Sequence, residues 1–351
     1  MAKQLVLLGA GRAHVHLLHR LAKQPLADTQ VTLVAPDPRQ LSLHRVARFV
    51  AGHATQDECS IALAPLVQKS GVRWLQRPVV ALDATAHSVQ LDDASALAFD
   101  WLSINSEGVQ NRSTLEVAMP GVGEHGLFVR PIETFVALWP RVAALGASRA
   151  LRIAVVGAGT AGIELALAVR HAQPQSAITL ITGGAAVASA YAPAVQTQVL
   201  AALKKRAITV LVDTATALTG KDVRLGCGAR LACDVSLITT GEQAPAWLQR
   251  SGLALDAQGF VAVDACQRAS SHPQVFVAGD DGVALAVNLA AIMSGTPLKI
   301  HRPLLPSLHF ISCGDQHAIA SWGHYTAQGR WVGWLKEMLD RRWMGCYRVQ
   351  V

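Results

Sequence analysis

The stretch 152–164, RIAVVGAGTAGIE, places a short apolar run directly before three closely spaced glycines. An alanine-rich pattern follows to about Arg170, so the stretch predicts a strand, a tight turn and a helix. Gly157 permits the turn, Gly159 lets the backbone approach a pyrophosphate, and Gly162 lets helix and strand pack closely. The N–H groups at the helix N-terminus would then face the phosphates of a dinucleotide.

The beginning of the chain repeats this plan. Leu5–Leu8 is an apolar run, the next three residues form a glycine-containing turn, and a helical pattern extends to about Leu21. Gly9 and Gly157 stand 148 positions apart, and Ala177–Ile181 supplies a second strand after the later motif. Two such units predict an α/β fold with two Rossmann-like dinucleotide-binding domains, each a three-layer structure on a mostly parallel sheet.

The first motif departs from the second at its third glycine, where His14 stands. Two interpretations of His14 and His16 stay open: a catalytic role, or histidines near a helix start that bind local partners, which we favour. Cofactor contacts are predicted along the whole turn. The candidates are Gly9, Ala10, Gly11, Arg12, Ala13 and His14.

Further candidate contacts follow the ends of other apolar strands, because ligands of parallel sheets bind at that edge. Pro36 and Asp37 follow the second predicted strand, and the Asp37 carboxylate can accept a hydrogen bond from a ribose hydroxyl or belong to a solvated turn. A carboxylate before the last such helix can bind a polyol chain or cap the helix. The remaining candidates are Thr182, Gly241, Gly279 and Asp280.

Composition limits the kind of protein. The 351 residues are 51% hydrophobic and 16% charged, which is typical of a globular chain with room for two domains. The net charge of +7 suits an anionic partner. Basic residues with interleaved aromatics occur only near the C-terminus, so we expect no nucleic-acid binding. The six cysteines form no closely spaced pair, which argues against a dithiol centre and against a metal site.

Two further features bear on localisation. The N-terminus, MAKQLVLLGAG, predicts a first strand rather than a signal peptide. No uninterrupted apolar run reaches the length of about 18 residues that a membrane-spanning helix needs. We therefore expect a cytoplasmic protein.

A C-terminal segment carries Trp331, Trp334 and Trp343 at helical spacings, with basic residues between them. Such a helix can lie on the anionic inner face of a membrane as a peripheral contact. It can equally pack on the body of the protein or in a homodimer. The predicted strands before it indicate a folded subdomain and favour packing.

Four stretches stand in the order of a known flavoprotein family: GAGRAH (9–14), GAGTAGIE (157–164), ITTG (238–241) and VFVAGD (275–280). The chain resembles the two-dinucleotide-binding-domain flavoproteins, the pyridine nucleotide-disulfide oxidoreductase superfamily, and within it the type II NADH dehydrogenases. It is most similar to the flavoprotein domain fused to some bacterial selenide, water dikinases. The stretches that carry this similarity are GAGRAHVHLLHRL (9–21), FVAGHATQDECSI (49–61), ISCGDQHAIASWG (311–323) and GRWVGWLKEMLDRRWM (329–344).

The resemblance implies two cofactors: FAD, held by the first motif and Asp280, and NAD(P)H, held by the second motif. It also implies that the FAD-binding domain is discontinuous. We place its two parts at 1–112 and 245–300, the NAD(P)H-binding domain at 113–244, and a small α+β C-terminal subdomain at 301–351. Glu164 follows the second motif and would lie near the nicotinamide and the flavin edge. We therefore expect it to be catalytic rather than exposed on the helix surface.

The implied activity is an FAD-dependent NAD(P)H oxidoreductase that reduces a quinone or another small acceptor without a cysteine pair. Three departures from the family stand out. Thr182 and Gly183 replace the acid of an NAD-preferring site, which admits NADPH. LSLHRVAR (41–48) replaces a glycine-containing run beside the flavin, and DGVALAVNL (281–289) replaces a longer connection. The last departure motivates an alternative, a non-catalytic flavin- or nucleotide-binding regulatory module that has lost its acceptor site.

Overall fold

The structure is a computed structural model, and it describes residues 2–41, 43–279, 282–301 and 307–348. The helices, in chain order, are α1 Arg12–Leu21, α2 Leu43–Val50, α3 Leu63–Ser70, α4 Arg112–Ala118, α5 Val122–His125, α6 Ile132–Ser148, α7 Thr160–Ala172, α8 Pro193–Lys205, α9 Gly282–Met293 and α10 Arg330–Tyr347. Short 3-10 helices lie at Asp57–Cys59 and Ala246–Arg250.

The strands alternate with these helices. They are β1 Lys3–Leu8, β2 Thr29–Val34, β3 Arg39–Leu41, β4 Ser60–Ala62, β5 Arg73–Leu75, β6 Val79–Asp83, β7 Ser88–Leu91, β8 Ala96–Ala98, β9 Trp101–Ile104, β10 Val109–Gln110, β11 Gly126–Phe128, β12 Arg152–Val156, β13 Ala177–Ile181, β14 Thr209–Leu211, β15 Ala215–Leu218, β16 Asp222–Leu225, β17 Arg230–Ala232, β18 Val235–Ile238, β19 Glu242–Gln243, β20 Val275–Val277, β21 Leu308–Ser312, β22 Ala318–Trp322 and β23 Tyr325–Gly329.

The first parallel sheet has the strand order β20-β9-β1-β2-β5. Its central strand, β1, is apolar on both faces and buried over Leu5–Leu8, as expected for a strand inside a parallel sheet. Helices α1, α3 and α9 pack on one face, and the antiparallel strands β6, β7 and β8 cover the other. The result is a three-layer unit.

The second parallel sheet repeats this plan, with the order β11-β18-β12-β13-β14 and a second antiparallel group, β15-β16-β17. Helices α6, α7 and α8 lie on one face and the antiparallel group on the other. Corresponding pairs share their register, since Leu8 pairs with Val34 in the first sheet and Val156 pairs with Ile181 in the second. The predicted fold of two Rossmann-like units is confirmed.

Helix α8 illustrates how local sequence sets these elements. It begins at Pro193, whose missing N–H is tolerated in the first turn, and ends with two lysines that suit the negative end of the helix dipole. Val199 and Leu203, one turn apart on its inner face, are fully buried.

Two short strands join the units. The chain passes from the first sheet to the second through β10 and returns through β19, and the two strands pair antiparallel, with Gln110 opposite Glu242. After the return, β20 completes the first sheet beside β9. The second unit is therefore inserted between strands of the first.

The C-terminal residues form the antiparallel sheet β21-β22-β23 followed by α10. Gly333 allows close packing, because a Cβ there would lie 2.0 Å from the Gln316 carbonyl oxygen. The far end of α10 reaches α1, where Arg12 stacks 4.4 Å from the ring centre of Trp343. The outer face of α10 keeps Trp331, Trp334, Met338 and Leu339 exposed. No helix in the described ranges combines the length and apolar character needed to cross a membrane.

Candidate functional site

A cleft of about 340 Å³ opens at the carboxyl ends of β1, β2 and β9. This is the edge at which parallel α/β sheets bind ligands. Its walls come from the first glycine-containing turn, the segment after β2, the segment that leads into β10, and the start of α6. The lining residues are Gly9, Ala10, Gly11, Ala35, Pro36, Asp37, Arg39, Gln40, Leu41, Asn105, Ser106, Glu107, Gly108, Val109, Gln110, Arg130, Pro131, Ile132 and Glu133.

The turn at Gly9 and Gly11 needs both glycines. Gly9 has a φ of +84°, and a Cβ there would lie 2.6 Å from the Asn105 carbonyl oxygen. A Cβ on Gly11 would lie 2.5 Å from Asn105 Oδ1. The bare backbone therefore fits against β9 and lines the cleft, as the motif predicts.

Asn105 fixes the turn to its neighbours. Its Oδ1 accepts hydrogen bonds from the backbone N–H groups of Ala13, at 3.0 Å, and His14, at 3.2 Å. Its Nδ2 donates to the carbonyl oxygens of Ala278 and Gly279. One buried amide therefore caps the first turn of α1 and joins it to the end of β20.

His14 lies in the interior rather than in the cleft. Its Nδ1 donates to the Gly9 carbonyl oxygen at 2.6 Å, and its Nε2 accepts from the Ser103 hydroxyl at 2.8 Å. Burial lowers the pKa of the ring to about 4, against a smaller opposing effect of the Gly9 bond. The ring is therefore neutral at pH 7, and both of its nitrogens have local partners. His16 Nδ1 is bonded to the Tyr347 hydroxyl at 2.8 Å.

The cleft contains charges of both signs. Burial raises the pKa of Asp37. Burial, and then the nearby Asp37 and Glu107 carboxylates, raise the pKa of Glu133. Arg39 and Arg130 line the same walls. A bound pyrophosphate would meet these arginines together with three carboxyl groups.

The residues present fit a flavin dinucleotide. The turn, the carboxylate of Asp37 after β2 and the start of α1 form the arrangement that holds an adenosine diphosphate in such folds. Gln40 lies at the cleft wall, and its buried Oε1 has no hydrogen-bond partner in the described part of the chain. An unpartnered buried acceptor of this kind calls for a ligand donor.

The second motif has a tighter turn at the same position of its own sheet. Gly157 has a φ of +115°, and a Cβ there would lie 2.6 Å from Thr239 Oγ1. A Cβ on Gly162 would lie only 1.9 Å from the Gly157 carbonyl oxygen. The space around Gly159 is open. Gly157 and Gly162 thus set the backbone, while Gly159 leaves room for an approaching phosphate.

Two other candidates lie at this edge. Thr182 follows β13, and its buried Oγ1 has no hydrogen-bond partner in the described ranges. Gly241 follows β18 with a φ of +78°, and the Leu115 side chain lies against it. The hydroxyl of Thr182 and the open space at Gly159 fit a second dinucleotide.

Glu164 lies in α7 and is buried, as expected, but it is not among the residues that line the cleft. Its Oε1 accepts a hydrogen bond from the Ser312 backbone N–H at 2.7 Å, which ties α7 to β21. Asp280, the predicted partner of the flavin, lies outside the described residues.

Several cleft residues were not among the sequence candidates. Asn105, Glu107, Arg130 and Glu133 act through partners distant in sequence, and Gln40 lies in a strand only three residues long. The one local signal was the run NSEG directly after the buried strand β9, since polar residues at a strand's carboxyl end mark a ligand edge.

Comparison with known proteins agrees with this architecture. The family described as pyridine nucleotide-disulphide oxidoreductase matches residues 3–295, well over half of the chain. The chain belongs to this family. Its cofactors are FAD and NAD(P)H, as the two motifs predict.

The sequence identity between this chain and individual relatives is low. The chain is 27% identical over 293 residues to demethylphylloquinone reductase of Synechocystis, covering 79% of this chain and 71% of that protein. Its fold is similar to sulfide:quinone oxidoreductase of Aquifex aeolicus, with a TM-score of 0.83, 16% identity, and coverage of 99% and 92%. It is also similar to NDH2 of Plasmodium falciparum, with a TM-score of 0.79, 12% identity, and coverage of 99% and 97%. The two solved structures confirm the fold.

Proposed function

We propose that this chain is an FAD-dependent NAD(P)H oxidoreductase that reduces a quinone-like small acceptor. The observation that carries the proposal is the duplicated unit, in which β9-β1-β2-β5 and β18-β12-β13-β14 lie in the same order, and a glycine-containing turn follows β1 and β12. Two nucleotide sites in one chain suit a donor and a cofactor that exchange electrons. The names of the Synechocystis and Aquifex proteins, both reductases or oxidoreductases of quinones, support a quinone as the acceptor.

The chain's own residues would divide the binding work. FAD would be held by the turn Gly9–Gly11 with Asp37 on the adenosine side, and NAD(P)H by Gly157–Gly162 with Thr182. When bound, FAD supplies the electron-transfer chemistry between nicotinamide and acceptor. Glu164 is proposed as the catalytic carboxylate, held in place by the Ser312 N–H.

The thiols support a reaction without a cysteine pair. All six cysteines are free, and Cys59, Cys233 and Cys313 are buried. Burial raises the pKa of Cys313 to about 11, so its thiol stays protonated and unreactive at neutral pH.

The direct test is an absorbance spectrum of the purified protein followed by anaerobic titration. The proposal expects a flavin spectrum, either as purified or after addition of FAD, that bleaches on addition of NADH or NADPH. Reoxidation by a short-chain quinone then tests the acceptor. A protein that takes up no FAD, or whose bound flavin neither nucleotide reduces, contradicts the proposal.

A matched pair of variants separates the donor site from general damage. Gly159→Ala adds a methyl group into open space at an ordinary φ of −72°, so the fold is kept while the phosphate approach is filled. We expect the NAD(P)H concentration for half-maximal flavin reduction to rise about tenfold or more, with FAD binding unchanged. Gly345→Ala, also in open space, is the control and should behave as wild type.

A second candidate function is a nucleotide-binding regulatory module without turnover. The sequence DGVALAVNL (281–289) favours it, because it replaces the longer connection that family members place beside the flavin and the acceptor. Binding of nucleotide without reduction of any quinone or dye would support this candidate, and turnover with any acceptor would reject it.

The proposed relation to the flavoprotein domain of selenide, water dikinases rests on the four stretches quoted for it.

The outer face of α10 has two candidate occupants. Trp331 and Trp334 are 60% and 65% exposed, with Arg341 and Arg342 beside them, which suits a peripheral contact with an anionic membrane. The same apolar face suits a second copy of the chain. Co-sedimentation with phosphatidylglycerol vesicles and sedimentation velocity distinguish the two, and Trp331→Gln with Trp334→Gln should abolish whichever contact occurs.

A further inference from the structure

Arg130 lies where the two connecting strands meet. Its Nη1 donates to Glu107 Oε2 at 2.6 Å, and its Nη2 contacts Glu242 Oε1 at 3.1 Å. Glu107 stands just before β10, and Glu242 begins β19. A single guanidinium therefore binds both segments through which the chain passes between the two parallel sheets.

The surrounding backbone is built for this arrangement. A Cβ on Gly108 would lie 2.5 Å from Glu242 Oε1, so the glycine makes room for that carboxylate. Gln110 is buried, and its Oε1 accepts from the Arg130 backbone N–H at 2.8 Å. Its Nε2 donates to the carbonyl oxygens of Ile238, at 2.9 Å, and Thr240, at 2.7 Å. The main chain of Arg130 is thereby fixed to β10 and to the end of β18.

Burial shows what these ion pairs contribute. The Arg130 side chain is 13% exposed, whereas Glu107 and Glu242 are 44% and 49% exposed. Each pair alone adds little stability, because water screens a half-exposed carboxylate. The planar guanidinium, however, fixes the direction of both carboxylates. The arrangement therefore fixes the orientation of the connecting segments more than it stabilises the fold.

We propose that Arg130 is a positioning residue that sets the orientation of the donor unit relative to the flavin unit. The inference rests on the proposed function, since it requires electron transfer between nucleotides bound to the two units. Orientation is important because a misplacement of about 1 Å can lower the rate of a reaction about 100-fold. The ion pairs hold the two segments through which the chain passes between the units, so they act where the units are joined.

The test is Glu242→Gln, which removes one charge at a side chain that does not itself line the cleft. We expect FAD affinity within about twofold of wild type, and flavin reduction at saturating NADH or NADPH slowed about tenfold. Hydrogen exchange in β10 and β19 of the apoprotein should become faster. Glu242→Asp keeps the charge and should recover part of the rate. Glu124→Gln, at an 82% exposed carboxylate, is the control.

Two results would overturn the inference. A wild-type reduction rate in Glu242→Gln leaves Arg130 with a structural role only, even if exchange becomes faster. A slower rate with an equal loss of FAD affinity places the effect in the cleft instead. Failure of the proposed function looks different, because the wild-type protein itself would then not be reduced, while exchange in β10 and β19 would still respond to the substitution.

Discussion

His14 and Gly162 occupy equivalent positions in the two motifs but hold their turns in different ways. At Gly162 the backbone lies so close to the Gly157 carbonyl oxygen that a side chain is excluded. At His14 the ring instead donates a hydrogen bond to the corresponding carbonyl oxygen of Gly9 and accepts one from the Ser103 hydroxyl. A close backbone contact in one unit is replaced by a buried, hydrogen-bonded ring in the other.

Protonation of His14 should destabilise the fold. The pKa of His14 falls from 6.5 to about 4 on folding. The part of the folding stability that depends on a neutral His14 ring is therefore fully present above pH 6.5 and is lost as the pH falls towards 4. We expect the free energy of unfolding in urea to decline by about 3 kcal/mol over this range from this group. In the His14→Gln variant this part of the pH-dependent loss of stability should be absent. In His324→Gln, a substitution at an exposed histidine, it should remain. Equal pH dependence in both variants would contradict the assignment.

Gly9, Gly157 and Gly162 were predictable from sequence because their requirement is local: a positive φ or a close backbone contact within a few residues. Asn105 was not predictable. The N–H groups it binds lie 91 and 92 positions away, and nothing in LSINSEG distinguishes it from the neighbouring polar residues.

At the scale of elements, an ion-pair cluster joins α2 to α10. The Glu337 carboxylate of α10 forms ion pairs with two arginines of α2, Arg45 at 3.5 Å and Arg48 at 2.9 Å. It also forms an ion pair with Arg341 of its own helix. The Arg45 side chain is only 5% exposed, and two of its nitrogens have no hydrogen-bond partner in the described ranges. Glu337 is thus the carboxylate on which a buried positive cluster depends.

Glu337→Gln should therefore lower stability strongly. Removing one partner of a buried ion pair leaves an uncompensated charge, which costs about 3–5 kcal/mol. Urea denaturation at neutral pH measures the loss. The exposed Glu124→Gln should remain within about 0.5 kcal/mol of wild type. A similarly small effect of Glu337→Gln would mean that water already solvates Arg45.

This cluster also explains what the sequence did not reveal about α2. The run LSLHRVAR was interpreted only as a departure from the family, yet a helix begins at Leu43 within it. Its arginines are buried against a carboxylate about 290 positions later, which no local pattern indicates. Strand β23 was missed for a similar reason, because YTAQG is not an apolar run and becomes a strand by pairing with β22.

At the scale of the whole molecule, the spacing of Gly9 and Gly157 predicted a repeat, and four strands of each sheet lie in the same order. The fifth strand differs, since it is the last strand of the first unit, β20, and the first strand of the second, β11. The repeat was visible because each unit needs the same apolar strand and glycine turn. The domain boundaries stay predictions. Asp37 was a sequence candidate, whereas Glu107, Arg130 and Glu133 were not, since they come from the connecting segment and from the inserted unit.

Those charges predict a pH-dependent affinity for FAD. Burial raises the pKa of Glu133 and Asp37, so both carboxylates take up protons at a higher pH than usual, and the cleft becomes less negative as the pH falls. We expect the affinity of the apoprotein for FAD to rise, by about tenfold, as the pH is lowered from about 8 into the acidic range, as measured by flavin fluorescence. Glu133→Gln should tighten binding at pH 8 and flatten the profile. Binding that weakens on acidification would contradict this account.

The return of the chain through β19 also has a consequence for synthesis on the ribosome. The second sheet holds all its strands once residue 238 has emerged, whereas the first lacks β20 until residue 277. Domains fold as their residues become available, and contacts between distant residues form late. The inserted unit can therefore finish folding before the N-terminal unit, although the N-terminal unit is translated first. Until β20 is added, the first sheet has an unpaired edge at β9.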